Sequence, residues 1–109
     1  MVATDIEVMD VIRTVVSQLE PEIRVEKIIL FGSYASGNPE KWSDIDIAII
    51  SPSFSPFPMW RRQELLAEHL PTADVRLSPL GYTPEELLKP TLFLREIIRT
   101  GKVVYQASH

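Results

Sequence analysis

Apolar residues recur at two periods along this chain, and the switches between them mark out the elements. Thr4-Asp5-Ile6-Glu7 has the form of a capping box. After it Ile6, Met9, Ile12, Val16 and Leu19 follow at helical spacing, so a helix is expected to run to just before Pro21. Arg24 to Phe31 reads as a first strand, with Lys27-Ile28-Ile29-Leu30-Phe31 as its buried run. A short helix opening at Ser33 or Tyr34 would end at Gly37. Ser43 to Ile50 alternates as a second strand, with Asp44 and Asp46 on one face and Ile45 and Ile47 on the other. Ser51 to Pro58 is a serine- and proline-rich loop. Met59 to Leu70 reads as a helix with Met59, Leu66 and Leu70 on one side and Arg61, Arg62, Glu64 and Glu68 elsewhere. Thr72 to Leu77 alternates as a third strand. Thr83-Pro84-Glu85-Glu86 is a second capping box with proline at the first helical position. A last helix spans Thr91 to Thr100, with Leu94, Ile97 and Ile98 apolar and Gly101 as its C-cap. Lys102 to Tyr105 is a short final strand. This order predicts an α/β (α+β) fold, a small mixed β-sheet flanked by helices.

Composition narrows the class. The 109 residues are enough for one domain, 1–109, with a real core, and 45% hydrophobic content is that of an ordinary globular chain. The net charge of -4 argues against a broad nucleic-acid footprint, so no direct nucleic-acid partner is expected. A single nucleotide is still allowed, because a metal can neutralise its phosphates. With no cysteine there is neither a disulfide framework nor a thiolate metal site. No basic segment followed by an apolar run opens the chain, and the longest uncharged stretch, Ile47 to Trp60, is short and broken by Pro52, Pro56 and Pro58. A cytoplasmic protein with no membrane association is expected.

The chemistry concentrates between the first two strands. Gly32-Ser33 is followed after ten residues by Asp44-Ile45-Asp46. Two carboxylates on one strand face repel each other, and a cation between them relieves that repulsion. A glycine-serine turn one strand away offers backbone N–H groups to an anion. A divalent-metal site beside a phosphate site is the minimum for moving a phosphoryl or nucleotidyl group. Asp74 joins the same face if the third strand pairs beside the second, as a third metal ligand or as the base for an attacking hydroxyl. Its alternative is a solvated strand-end aspartate.

This constellation resembles the minimal nucleotidyltransferase family of the polymerase-beta-like superfamily. The residues that carry the likeness are Phe31-Gly32-Ser33-Tyr34-Ala35-Ser36-Gly37, Ser43-Asp44-Ile45-Asp46-Ile47-Ala48-Ile49-Ile50 and Ala73-Asp74-Val75, with weaker likeness on to Tyr105. The resemblance implies a polymerase-beta-like palm fold and transfer of AMP from ATP to a hydroxyl. Asp44, Asp46 and Asp74 would bind Mg²⁺, and Gly32 and Ser33 would cradle the triphosphate. It also implies a partner, a helical HEPN-domain toxin with a ribonuclease site. This chain would be the antitoxin, adenylylating a tyrosine of the toxin within a hetero-oligomer; a homodimer is a further possible assembly. Ser36 departs from the family, since many members carry arginine there. Arg76 either compensates at the phosphates or simply pairs with a nearby carboxylate.

Other residues have plainer readings. Lys41 is expected to be a solvated loop residue, and Trp42 either stacks on a base or is partly buried. His69 is expected at a surface or as a helix C-cap, His109 in a loose terminus, and Arg61-Arg62 on a solvated helix face. Phe54, Phe57, Met59 and Trp60 either fold back on the core or form a contact surface, and the contact surface is the reading preferred. A nucleotidyltransferase fold kept only as a binding module, neutralising its partner by covering it, is the alternative function. A glycosyltransferase needs a larger nucleotide-sugar domain than this length provides.

Overall fold

The computed structural model describes residues 4–41, 43–70 and 76–108. The elements fall in the expected order. Helix α1 (Asp5–Leu19) starts at a complete capping box: the Thr4 hydroxyl accepts from the Glu7 N–H, and the Glu7 carboxylate accepts from the Thr4 N–H. Its buried face is Val8, Ile12, Val15 and Leu19, and Ile6, expected on that face, is 75% exposed. Two overlapping apolar stripes share this helix, and packing against the sheet selects the one that begins at Val8.

Strand β1 (Lys27–Phe31) leads through Gly32 into the single-turn helix α2 (Ser33–Ser36). Strand β2 (Ile45–Ile50) starts two residues later than the alternation suggests, which leaves Asp44 just before its first residue. A 3₁₀ turn (Pro52–Phe54) and helix α3 (Met59–His69) follow. Strand β3 is Leu77–Tyr82, so it carries on past the expected end at Leu77; positions 72–75 of the expected strand lie outside the described residues. Helices α4 (Pro84–Leu88) and α5 (Leu92–Thr100) precede strand β4 (Lys102–Gln106).

The sheet order is β3-β2-β1-β4. β1 runs antiparallel to both β2 and β4, whereas β2 and β3 are parallel and joined through α3. The sheet is therefore mixed, as expected. Pro79 and Gly81 disguise β3 in the sequence, and its edge position is what permits a proline. One face of the sheet, with Ile28, Leu30, Ile45, Ile47 and Ile49, packs with α1, Leu66 of α3 and the fully buried Phe54. The other face, with Ile29, Ala48 and Ile50, packs with Tyr82 and with Leu94 and Ile97 of α5. Ile98, grouped with them in sequence, is 43% exposed.

Two sequence readings of the middle segment are corrected. Phe54 belongs to the core rather than to a contact surface, while Met59 and Trp60 are exposed. Arg62 is buried rather than solvated. Its guanidinium donates to the carbonyls of Phe57 (2.8 Å) and Gly81 (3.2 Å) and to the Glu86 carboxylate (2.7 Å). That network joins α3, β3 and α4, with Glu86 also closing the Thr83 capping box. His69 does cap a helix end: its ring nitrogens meet the Leu65 carbonyl and the Glu22 carboxylate, each at 2.8 Å. The Leu65 carbonyl first, and then Glu22, raise its pKa.

Candidate active site

The site forms where β1 ends and β2 begins. Gly32 has φ +73°, a left-handed conformation that L side chains rarely adopt. A Cβ there would lie 2.2 Å from Oδ2 of Asp46. Glycine is thus required twice, for the turn and for the close approach of backbone to carboxylate. The turn of α2 that follows is anchored by buried Ala35 and closed by Gly37 in the left-handed region. The Ala35 and Ser36 N–H groups both donate to the Gly32 carbonyl (3.1 Å each), and backbone N–H groups at the opening of such a turn are what an anion uses.

The register across the sheet sets the rest. Phe31, Asp46 and Ser78 stand on one rung across β1, β2 and β3, and cross-strand partners present their side chains on the same face. Burial pushes the Asp46 carboxyl above its ordinary pKa, the neighbouring Asp44 charge adds to this, and a hydrogen bond from Ser78 opposes it. Asp44, at the mouth of the same face, is exposed and pairs with Arg76, Nε to Oδ1 at 3.4 Å. The Ile45 N–H donates to the Arg76 carbonyl (2.8 Å), so the backbones hold Arg76 beside the aspartate pair.

Of the residues expected in the site, Gly32, Ser33, Asp44, Asp46 and Arg76 are gathered at this one end of the sheet. Asp74 lies outside the described residues, as does Trp42. Among the described residues no group of three acidic, histidine or cysteine side chains is placed to hold a metal ion. Two oxygen-donor carboxylates nevertheless fit Mg²⁺, which prefers hard ligands and fills its remaining positions with water and substrate phosphate. Burial first, and the Asp44 charge second, disfavour the ionised Asp46 carboxylate, and such an ion would offset both. Ser36, where arginine was noted as common, donates from its hydroxyl to the Ser33 carbonyl (3.0 Å) within α2. Ser78 is the residue that sequence reasoning missed. Counting by two from Asp74 through Arg76 would have reached it, had the strand been carried past Leu77.

A family model described as a nucleotidyltransferase domain matches residues 9–102. The chain belongs to this family. The match spans every element from α1 to the start of β4, with the glycine turn and the aspartate pair inside it. No curated protein sequence matches the chain. Solved structures share the nucleotidyltransferase fold at low identity. A Sulfolobus solfataricus protein assigned to the nucleotidyltransferases is 15% identical, with TM-score 0.63, over 91% of this chain and 77% of that one. A toxin–antitoxin with AMP-PNP is 21% identical, with TM-score 0.55, over 92% and 74%. A mutant of the MntA–HpeT toxin–antitoxin is 19% identical, with TM-score 0.54, over 92% and 74%. Among the described residues, no helix of this nucleotidyltransferase domain is long and apolar enough to cross a membrane.

Proposed function

We propose that this nucleotidyltransferase domain is Mg²⁺-dependent and transfers AMP from ATP to a hydroxyl, a tyrosine of a HEPN-domain toxin, as the antitoxin of the pair. The observation that carries the reading is the Asp46 carboxylate seated against the Gly32 backbone, with Asp44 on the same face. The likeness to a toxin–antitoxin with AMP-PNP supports both the nucleotide and the kind of partner. A cytoplasmic location follows from that partnership.

In this reading Asp44 and Asp46 hold the metal, with Asp74 as third ligand or as base. Mg²⁺, when bound, supplies positive charge to the phosphate oxygens and to the leaving pyrophosphate. Gly32 and Ser33 bring backbone N–H groups to the triphosphate, and Ser78 fixes the orientation of the Asp46 carboxylate. The acceptor oxygen forms a bond to the α-phosphorus, the bond to the bridging oxygen breaks, and pyrophosphate departs. The acceptor proton passes to a carboxylate. Arg76, held beside the aspartate pair by its contact with Asp44, would offer its guanidinium to the phosphates.

Incubation with α-labelled ATP, Mg²⁺ and the product of the adjacent gene tests this. Label is expected on that partner, and Asp46→Asn should abolish it. A stable complex without label, with Asp46→Asn neutralising the partner as well as wild type, would replace the enzymatic reading with the binding-module one.

A further inference from the structure

Phe31 shares its rung with Asp46, and a second aromatic ring rests against it. Phe93, in the first turn of α5, meets Phe31 edge to face, with centroids 6.3 Å apart and ring planes at 89°. Such pairs are favourable and directional, so Phe31 holds the orientation of Phe93. Yet 58% of Phe93 remains exposed. Phe31 is the cross-strand partner of Asp46, so the ring that Phe93 meets borders the aspartate face of the sheet.

We infer that the exposed ring of Phe93, propped by Phe31, is the platform on which the nucleobase of the nucleoside triphosphate stacks. The inference rests on the nucleotide-binding reading of the site and adds the position of the base. Phosphates held at Gly32 and the aspartate pair leave the base one ribose away, and Phe31, which leads into Gly32 and pairs with Asp46, carries this ring at the border of that site. A phenyl ring has a π-face but no hydrogen-bonding group, so it reads the area of a base and not its edge. Purines are therefore favoured over pyrimidines, and ATP and GTP are not separated by this ring. The neighbouring Leu88 and Leu92, 82% and 81% exposed, are aliphatic and offer no comparable stacking face.

The test is calorimetric titration of the full chain with the Mg²⁺ complexes of ATP, GTP, UTP and tripolyphosphate. Wild type should bind ATP and GTP alike, UTP more weakly and tripolyphosphate weakest. Phe93→Ala should weaken ATP binding about tenfold and leave tripolyphosphate unchanged. Phe93→Trp should restore the affinity, whereas Phe93→Leu, which keeps an apolar contact with Phe31, should not. ATP binding unchanged in Phe93→Ala, even with weakened binding of a protein partner, would overturn the platform and leave the nucleotide reading standing. Equal losses for ATP and tripolyphosphate would overturn it too, by showing that the ring only supports the phosphate site. Failure of wild type to bind either ligand would remove the nucleotide reading itself, and the platform with it.

Discussion

At the scale of single residues, Asp44 and Asp46 differ although they were read as a matched pair. Asp46 is half-buried, fixed by Ser78 and pressed against a glycine, and its pKa is raised by burial first and by Asp44 second. Asp44 is exposed and held by Arg76 across the parallel register. An exposed ion pair of this kind contributes about 0–1 kcal/mol, so under the proposed function it would oppose a divalent ion at Asp44 only weakly. Arg76→Gln should therefore raise nucleotide-free Mn²⁺ affinity by a few-fold, on the order of 2–5. It should also weaken binding of the nucleoside triphosphate. Electron paramagnetic resonance of free Mn²⁺ checks the first effect, and titration with a non-hydrolysable ATP analogue the second. Loss of metal affinity in the variant would show that Arg76 organises the carboxylates rather than standing in for the metal.

At the scale of elements, the decisive link is the one that ties α3 and α4 to β3. Arg62 reaches two carbonyls and the Glu86 carboxylate from a position that pattern alone assigned to solvent. Burial raises the Glu86 pKa, but hydrogen bonds from Thr83 and Arg62 outweigh it, and the group titrates below its ordinary value. A depressed folded-state pKa stabilises the protein above the unfolded value, near 4.5, and the contribution is lost as pH falls through the folded value. Arg62→Met should cost about 2 kcal/mol in urea denaturation at pH 7, the scale of a charged hydrogen-bond network with buried acceptors. The same variant should lose less stability than wild type between pH 5 and about pH 3, because Glu86 then lacks its cation. Arg62→Lys should not rescue it, since an ammonium group cannot span three divergent acceptors.

At the scale of the whole molecule, apolar clusters on both faces carry the sheet and with it the site. Phe54 is fully buried, and its ring lies so close to Gly81 that a Cβ there would come within 2.9 Å of it. Phe54→Ala should cost about 3–5 kcal/mol by urea denaturation, a large share of the stability of a small domain. Because β3 carries Ser78 against Asp46, that variant should lose metal binding at denaturant concentrations where wild type still binds. The sequence by itself determined the order of elements, both capping boxes and the pairing of a glycine turn with alternating aspartates. These are local matters of period, cap and turn, written in neighbouring residues. It also carried the family membership, which the family model over residues 9–102 shows. Only the tertiary structure decided which stripe of α1 is buried, that Arg62 and Phe54 face inward, and that β3 runs through Pro79 and Gly81. The parallel register that sets Arg76 by Asp44 and Ser78 by Asp46, and the contact of Phe93 with Phe31, likewise join residues far apart in the chain. Their placement depends on how whole elements pack, which no local pattern encodes.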